Sequence, residues 1–154
     1  MVLSEPHTMD KLMELLKAYP IVIEQAVQWG DMDAFGHVNN TVYFRWFENA
    51  RIAYLGTLDW QVTKLPSGVA PILHSTSARF RRPLTFPDTV SIGASVTQLG
   101  EDRFTMEYCV VSHRLQAIAA EGQGVIVTYH YGEQQKAAIP PTVRRQITER
   151  QAGF

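Results

Sequence analysis

The chain has 154 residues, of which 45% are hydrophobic and 19% charged, and its formal net charge is -1. That length favours one domain with a substantial core, and a charge so close to zero argues against nucleic acid or an anionic membrane as the main partner. Cys109 is the only cysteine, which excludes a disulfide framework and a thiolate metal site. No apolar run approaches the ~20 residues of a membrane-spanning helix. The first residues, MVLSEPHTMDKLMELL, lack the basic-then-apolar order of a secretory signal, so the expected compartment is the cytosol.

Met9, Leu12, Met13, Leu16 and Tyr19 recur at helical spacing from Thr8 to Tyr19, and Pro20 closes the segment. A short amphipathic helix is expected there, docked on the domain or on a second subunit. Its polar face (Asp10, Lys11, Glu14, Lys17) lacks the basic bias of a membrane-surface helix. Ile21 to Trp29 is rich in β-branched and aromatic residues and reads as a strand. A loop from Gly30 leads into a helix on which Tyr43, Trp46, Phe47, Ala50 and Tyr54 form an apolar stripe, widened by Val42, Phe44 and Ile52. So apolar a helix is buried on most sides. Asn39 or Asn40 is its expected N-cap, and Gly56 its expected left-handed stop.

Pro66, Ser67 and Gly68 mark a turn. Beyond it the chain reads as β: Ile72 to Arg82, then the alternating runs Val90-Ile92-Ala94-Val96 and Phe104-Met106-Tyr108-Val110. Gly100-Glu101-Asp102 connects those two runs as a hairpin. The last strand covers about Ile118 to Tyr131, where Gly122 and Gly124 indicate a bulge or a close backbone approach. The tail from Pro140 to Phe154 is expected to hold a short helix. This order predicts an α+β domain over residues 1–154, one antiparallel sheet of about five strands curled around a buried helix, with residues 1–19 as a helical extension. The sheet's uncovered edges call for a partner. The first strand, the last strand and the N-terminal helix are the candidate contacts of a homodimer or a dimer of dimers.

Residues 31 to 51, DMDAFGHVNNTVYFRWFENAR, carry the chemistry. Asp31, Asp33, His37, Asn39 and Asn40 crowd onto a loop aimed at the positive end of the buried helix. A carbonyl oxygen gaining negative charge would be stabilised there.

This stretch resembles the hotdog-fold acyl-CoA thioesterases, the group that includes 4-hydroxybenzoyl-CoA thioesterase and the long-chain acyl-CoA thioesterases. Their pattern is met by Asp33, His37-Val38-Asn39-Asn40, Tyr43 and Glu48-Asn49-Ala50-Arg51, then by RFRRPLTFPD at 79 to 88 and on to Ile139-Pro140. The resemblance covers roughly residues 20 to 145 and omits the first 19. It implies a hotdog fold, hydrolysis of an acyl thioester, and an active site shared between the subunits of a homo-oligomer. A thiolate is a good leaving group (pKa of ~8.5), so activating water or attacking directly with a carboxylate, plus an oxyanion site, is sufficient chemistry. On the resemblance Asp33 is the general base or nucleophile, and the backbone N–H of Asn40 is the oxyanion donor.

Asp31 competes with Asp33 for that role, since two like charges so close tend to raise one pKa. His37 is open between orienting substrate, moving a proton and holding the loop. Its expected helper two residues earlier in plant acyl-carrier thioesterases is here Phe35. Asn39 either contacts the thioester or only caps the helix. Tyr43 belongs to the family's pattern and, with Phe35 and Trp46, either lines an acyl pocket or fills the core, while Glu48 with Arg51 reads as an i, i+3 helix-surface or interface pair on which Glu48 keeps a minor catalytic claim. Arg79, Arg81 and Arg82 form the densest basic cluster and suit coenzyme A phosphates, or equally a charged edge strand. No cofactor and no metal site is expected, because His7, His74, His113 and His130 show no ligand spacing. The runners-up are a hotdog hydratase or dehydratase, whose Asp–His spacing neither Asp31 nor Asp33 matches, and a non-catalytic acyl-thioester binding protein. The acyl group, and coenzyme A against acyl carrier protein, stay open.

Overall fold

The computed structural model describes residues 6–60 and 68–154. Its elements are α1 (Pro6–Leu16), β1 (Ile21–Ala26), a 3-10 turn (Trp29–Asp31), α2 (Asn40–Leu55), β2 (Val69–Phe80), β3 (Thr89–Leu99), β4 (Arg103–Ser112), β5 (Ala117–His130), β6 (Gln135–Lys136) and α3 (Pro141–Gln151). The strands form one antiparallel sheet in the order β1-β3-β4-β5-β2, with the two-residue β6 beside the end of β5.

One face of the curled sheet wraps α2. Period-two alternation sends Val90, Ile92 and Ala94 of β3, and Phe104, Met106, Tyr108 and Val110 of β4, toward it, where they meet Tyr43, Trp46, Phe47, Ala50 and Tyr54. Burying each of the larger side chains contributes about 1.5–3 kcal/mol, so α2 is anchored along its length. The opposite face receives α1. Leu12, Leu15, Leu16 and Tyr19 pack there on Cys109, Val111 and Ile118. The hotdog architecture and the N-terminal helix expected from the sequence are both present.

Two glycines let aromatic rings close onto the sheet. A Cβ on Gly122 would lie 2.3 Å from Cε2 of Phe47, and one on Gly93 would lie 2.6 Å from Cγ of Tyr19. Gly122 is thus a close-approach glycine. The register shifts lie elsewhere, between Leu73 and Ser75, Val96 and Gln98, and Val110 and Val111.

Several expectations are corrected. The first strand stops at Ala26, because Gln28 and Asp31 close the 3-10 turn where the strand was expected to continue. Gly56 sits at φ -64°, in the right-handed region. The chain leaves α2 through a tightening turn in which Thr57 and Leu58 N–H donate to the Tyr54 and Leu55 carbonyls, so no left-handed residue is needed. The last strand is interior, between β4 and β2, and the open edges are β1 and β2. Among the turn residues, Pro66 and Ser67 lie outside the described residues.

Candidate active site

Local hydrogen bonds fold the loop before α2 into a rigid presenter. Asp33 N–H donates to the His37 carbonyl at 2.9 Å and Gly36 N–H to the Asp33 carbonyl at 3.0 Å, while Phe35 N–H reaches Asp33 Oδ1 at 2.9 Å. Gly36 takes φ 79°, which only a residue without a Cβ adopts at little cost. Met32 and Val38 bridge across this turn. Val38 N–H then ties the loop to the Leu84 carbonyl at 2.9 Å, and Asn39 N–H ties it to the Asp31 carbonyl at 2.9 Å.

The two aspartates divide their work. Asp31 Oδ2 accepts Gln28 N–H at 2.8 Å and caps the 3-10 turn. Asp33 spends Oδ1 on Phe35, while its Oδ2 faces Asn39 Nδ2 at 3.5 Å. Asn39 is the N-cap of α2. Its Oδ1 accepts from Thr41 N–H at 2.9 Å and from the Thr41 hydroxyl at 2.7 Å. Those two donors fix the amide's orientation, leaving its NH₂ turned to Asp33. The next N–H, that of Asn40, has no acceptor among the described residues and stands at the positive end of a 16-residue helix.

His37, Asn40 and Tyr43 line one cleft of about 300 Å³ together with Phe80, Arg81 and Arg82. Burial pushes the Tyr43 phenol up to about 12, so at neutral pH it remains a hydroxyl. Its ring meets Phe80 edge-on at 5.1 Å. Arg81 is held by Glu121, with Nε at 3.0 Å and a terminal nitrogen at 2.7 Å. Arg82 has no side-chain partner among the described residues, and it is exposed. Arg79 is not brought to this cleft. It lines a separate one of about 530 Å³ on the far face of the sheet, with Tyr19, Glu107 and Glu121. Glu48 and Arg51 do pair, at 3.7 Å, but Arg51 is buried and Glu48 exposed. Phe80 is a cleft residue the sequence reading missed. Its place two positions after Ala78, which pairs with the helix-facing Gly122, was the available signal. Among the described residues no group of three or more His, Cys, Asp or Glu is arranged to hold a metal ion.

A family model described as the thioesterase-like superfamily matches residues 27–147. The chain belongs to this superfamily. Its fold is shared with a Thermus thermophilus thioesterase solved with coenzyme A and Zn, at 28% identity and a TM-score of 0.78, covering 90% of this chain and 99% of that one. It is also similar to the BH1999 gentisyl-coenzyme A thioesterase, at 25% identity and a TM-score of 0.72, over 82% of this chain and 98% of that one. A 1,4-dihydroxy-2-naphthoyl-CoA thioesterase from Synechocystis shares the fold at 22% identity and a TM-score of 0.75, over 84% of this chain and 96% of that one. As a member of this superfamily the protein is a thioester hydrolase. Among the described residues no helix is long and apolar enough to cross a membrane.

Proposed function

We propose that this thioesterase hydrolyses acyl-coenzyme A, with Asp33 as general base or nucleophile and the Asn40 N–H as oxyanion donor. The observation that carries the reading is the join between the two groups. Asn39, locked by Thr41, caps α2 with its oxygen and turns its NH₂ to Asp33, so one residue sets the carboxylate beside the helix end. A thioester carbonyl placed over that end meets an N–H with no acceptor among the described residues, and the helix dipole favours the charge it gains. The less engaged Oδ2 of Asp33 then takes a proton from a water that attacks the carbonyl carbon and expels the thiolate, or itself attacks that carbon and expels the thiolate, leaving a mixed anhydride that water hydrolyses to the free acid. Because thiolate leaves readily, no strong general acid is required.

Tyr43 and His37 contact the acyl–thiol junction in this reading, and Asn39 orients the carboxylate. Arg82 and Arg81 meet the phosphates of coenzyme A at the mouth of the cleft. The bound coenzyme A of the Thermus thermophilus relative supports that carrier. Arg79 faces away within one chain, so it serves coenzyme A only from a second subunit or not at all. The open edge of β2 and the exposed loop bearing Phe35 (87% exposed) favour a homodimer, or a dimer of dimers, with the Asp33 loop at the boundary.

The test is product identity on a panel of acetyl-, hexanoyl-, palmitoyl-, aryl- and enoyl-CoA. Free thiol released stoichiometrically with acid is expected. Enoyl absorbance changing without thiol would mean a hydratase, and tight binding without thiol at any pH would mean a binding protein.

A further inference from the structure

The loop that carries Asp33 is rigid within itself, through the bonds among Asp31, Asp33, Gly36, His37 and Asn39. Among the described residues, its placement against the sheet depends on two further backbone hydrogen bonds, one at each end. Val27 N–H donates to the Asp88 carbonyl at 2.9 Å where the chain leaves β1, and Val38 N–H donates to the Leu84 carbonyl at 2.9 Å just before α2. Both acceptors belong to the connection from β2 to β3. Whatever fixes residues 83–88 therefore fixes the loop.

That connection has few side-chain anchors of its own. Pro83, Phe86 and Pro87 are exposed, and Leu84, at 1% exposure, is its one buried side chain. Just before it, Arg81 and Arg82 N–H hold to the Ala119 carbonyl. At its other end the contacts converge on the Asp88 carboxylate. Oδ1 accepts Thr89 N–H at 2.7 Å and Arg114 N–H at 3.0 Å, and Oδ2 accepts the Ser112 hydroxyl. Ser112 is wholly buried at the end of β4, where it also accepts Leu115 N–H at 3.0 Å. The Arg114 guanidinium reaches back to the Thr85 hydroxyl at 3.2 Å. One carboxylate thus clamps the connection to β3, to β4 and to the turn between β4 and β5, and hydrogen bonds to an ionised acceptor are the stronger kind.

We propose that Asp88 is a positioning residue for thioester hydrolysis: it holds the Leu84 carbonyl that receives Val38 N–H, and so sets the Asp33 loop against the start of α2. This rests on the thioesterase reading above and names a residue that serves it from outside the cleft. Asp88 does not line that cleft, so it acts on the reacting groups only through the loop. A displacement of about 1 Å at a reacting group can lower a rate by on the order of 100-fold, and supporting contacts of this kind prevent it. Coenzyme A binding should be spared, because Arg81 and Arg82 keep their tie to Ala119.

The experiment pairs kinetics with amide hydrogen exchange. Asp88→Ala should lower kcat for thiol release at least ~10-fold, while KM stays within about twofold. Exchange at the Val38 amide should quicken at least ~10-fold, while that of Ala50, inside α2, keeps the parent rate. Asp88→Asn keeps an oxygen for the Thr89 and Arg114 N–H groups and should recover most of both losses. A Val38 amide exchanging at the parent rate in Asp88→Ala overturns the proposal. Val38 and Ala50 quickening together would show a general loss of stability, and also overturns it. Should Asp88→Ala fail to fold, Ser112→Ala decides, because it cuts the same clamp from β4. It should lower kcat several-fold and speed Val38 exchange, and parent-like values of either refute the proposal. Thiol release by the parent with an unchanged kcat in folded Asp88→Ala removes the role of Asp88 and leaves the thioesterase reading standing. A parent protein that releases no thiol from any acyl-CoA of the panel removes that reading, and the proposal with it.

Discussion

Replacing Gly122 by Ala tests how tightly α2 is locked onto the sheet that presents the active-site loop. The added methyl would fall 2.3 Å from Cε2, 2.5 Å from Cζ and 2.9 Å from Cδ2 of Phe47. Those are ring atoms in three short contacts at once, so a small tilt cannot relieve them. The ring has nowhere to turn: Phe47 is 1% exposed, stacks on Tyr108 with centroids 5.0 Å apart and meets Phe44 edge-on at 5.9 Å. Overpacking of this kind costs about 1–3 kcal/mol, and the rigid neighbours place Gly122→Ala near the upper end. For a chain of this size that lowers Tm by about 2–4 °C per kcal/mol, so a fall of roughly 5–10 °C is expected. Urea unfolding followed by Trp fluorescence, at one fixed protein concentration, measures the same loss. Phe47→Leu in the Gly122→Ala background should recover part of it. The pair would then show a coupling of about 1 kcal/mol or more in a double-mutant cycle. A Gly122→Ala protein within about 0.5 kcal/mol of the parent would refute the contact.

Asn39→Ala should lower stability by about 1 kcal/mol through loss of the cap, while kcat falls at least tenfold because Asp33 loses its orienting amide; a cap role alone would leave kcat in place. Arg82→Ala should raise KM for acyl-CoA more than Arg79→Ala does and weaken its salt dependence, as read from initial rates across ionic strength. Burial raises the Cys109 thiol from 9.0 to about 11, which favours the neutral form in the folded state. Its contribution is therefore complete below about pH 9 and is lost as pH rises toward 11. Urea midpoints should decline across that window, and less steeply in Cys109→Ala.

The alternating strands, the apolar helix and the hotdog architecture were legible because each rests on local periodicity, which the sequence carries directly. Asn39 was legible as a cap for the same reason. Strand order was not. After α2 the chain crosses to pair β2 with β5, and no local pattern announces a partner so distant; the last strand was therefore misplaced at an edge. Gly56 was misjudged because glycine permits a left-handed stop without requiring one. The arginines were read as one cluster, yet alternation along β2 turns Arg79 away from Phe80. Beyond the strand Arg81 and Arg82 N–H both donate to the Ala119 carbonyl, at 2.8 and 3.1 Å, which ends the alternation and puts both at the cleft. The i, i+3 spacing of Glu48 and Arg51 points to a helix-surface or interface pair, and does not announce that Arg51 is buried within one chain. Its burial brings it against the Tyr108 hydroxyl of β4, a contact 57 residues away in sequence.

The central claim is that Asp33 carries the chemistry beside the α2 N-terminus, and Asp33→Asn measures it most directly. The side chain keeps its shape and its oxygen for the Phe35 N–H, so circular dichroism, sedimentation and the urea midpoint should stay close to the parent's. Steady-state thiol release from the best acyl-CoA of the panel should then fall by ~100-fold or more in kcat. Parent-level thiol release by a folded Asp33→Asn protein would contradict the claim, and would send the search for the carboxylate to Asp31 and Glu48.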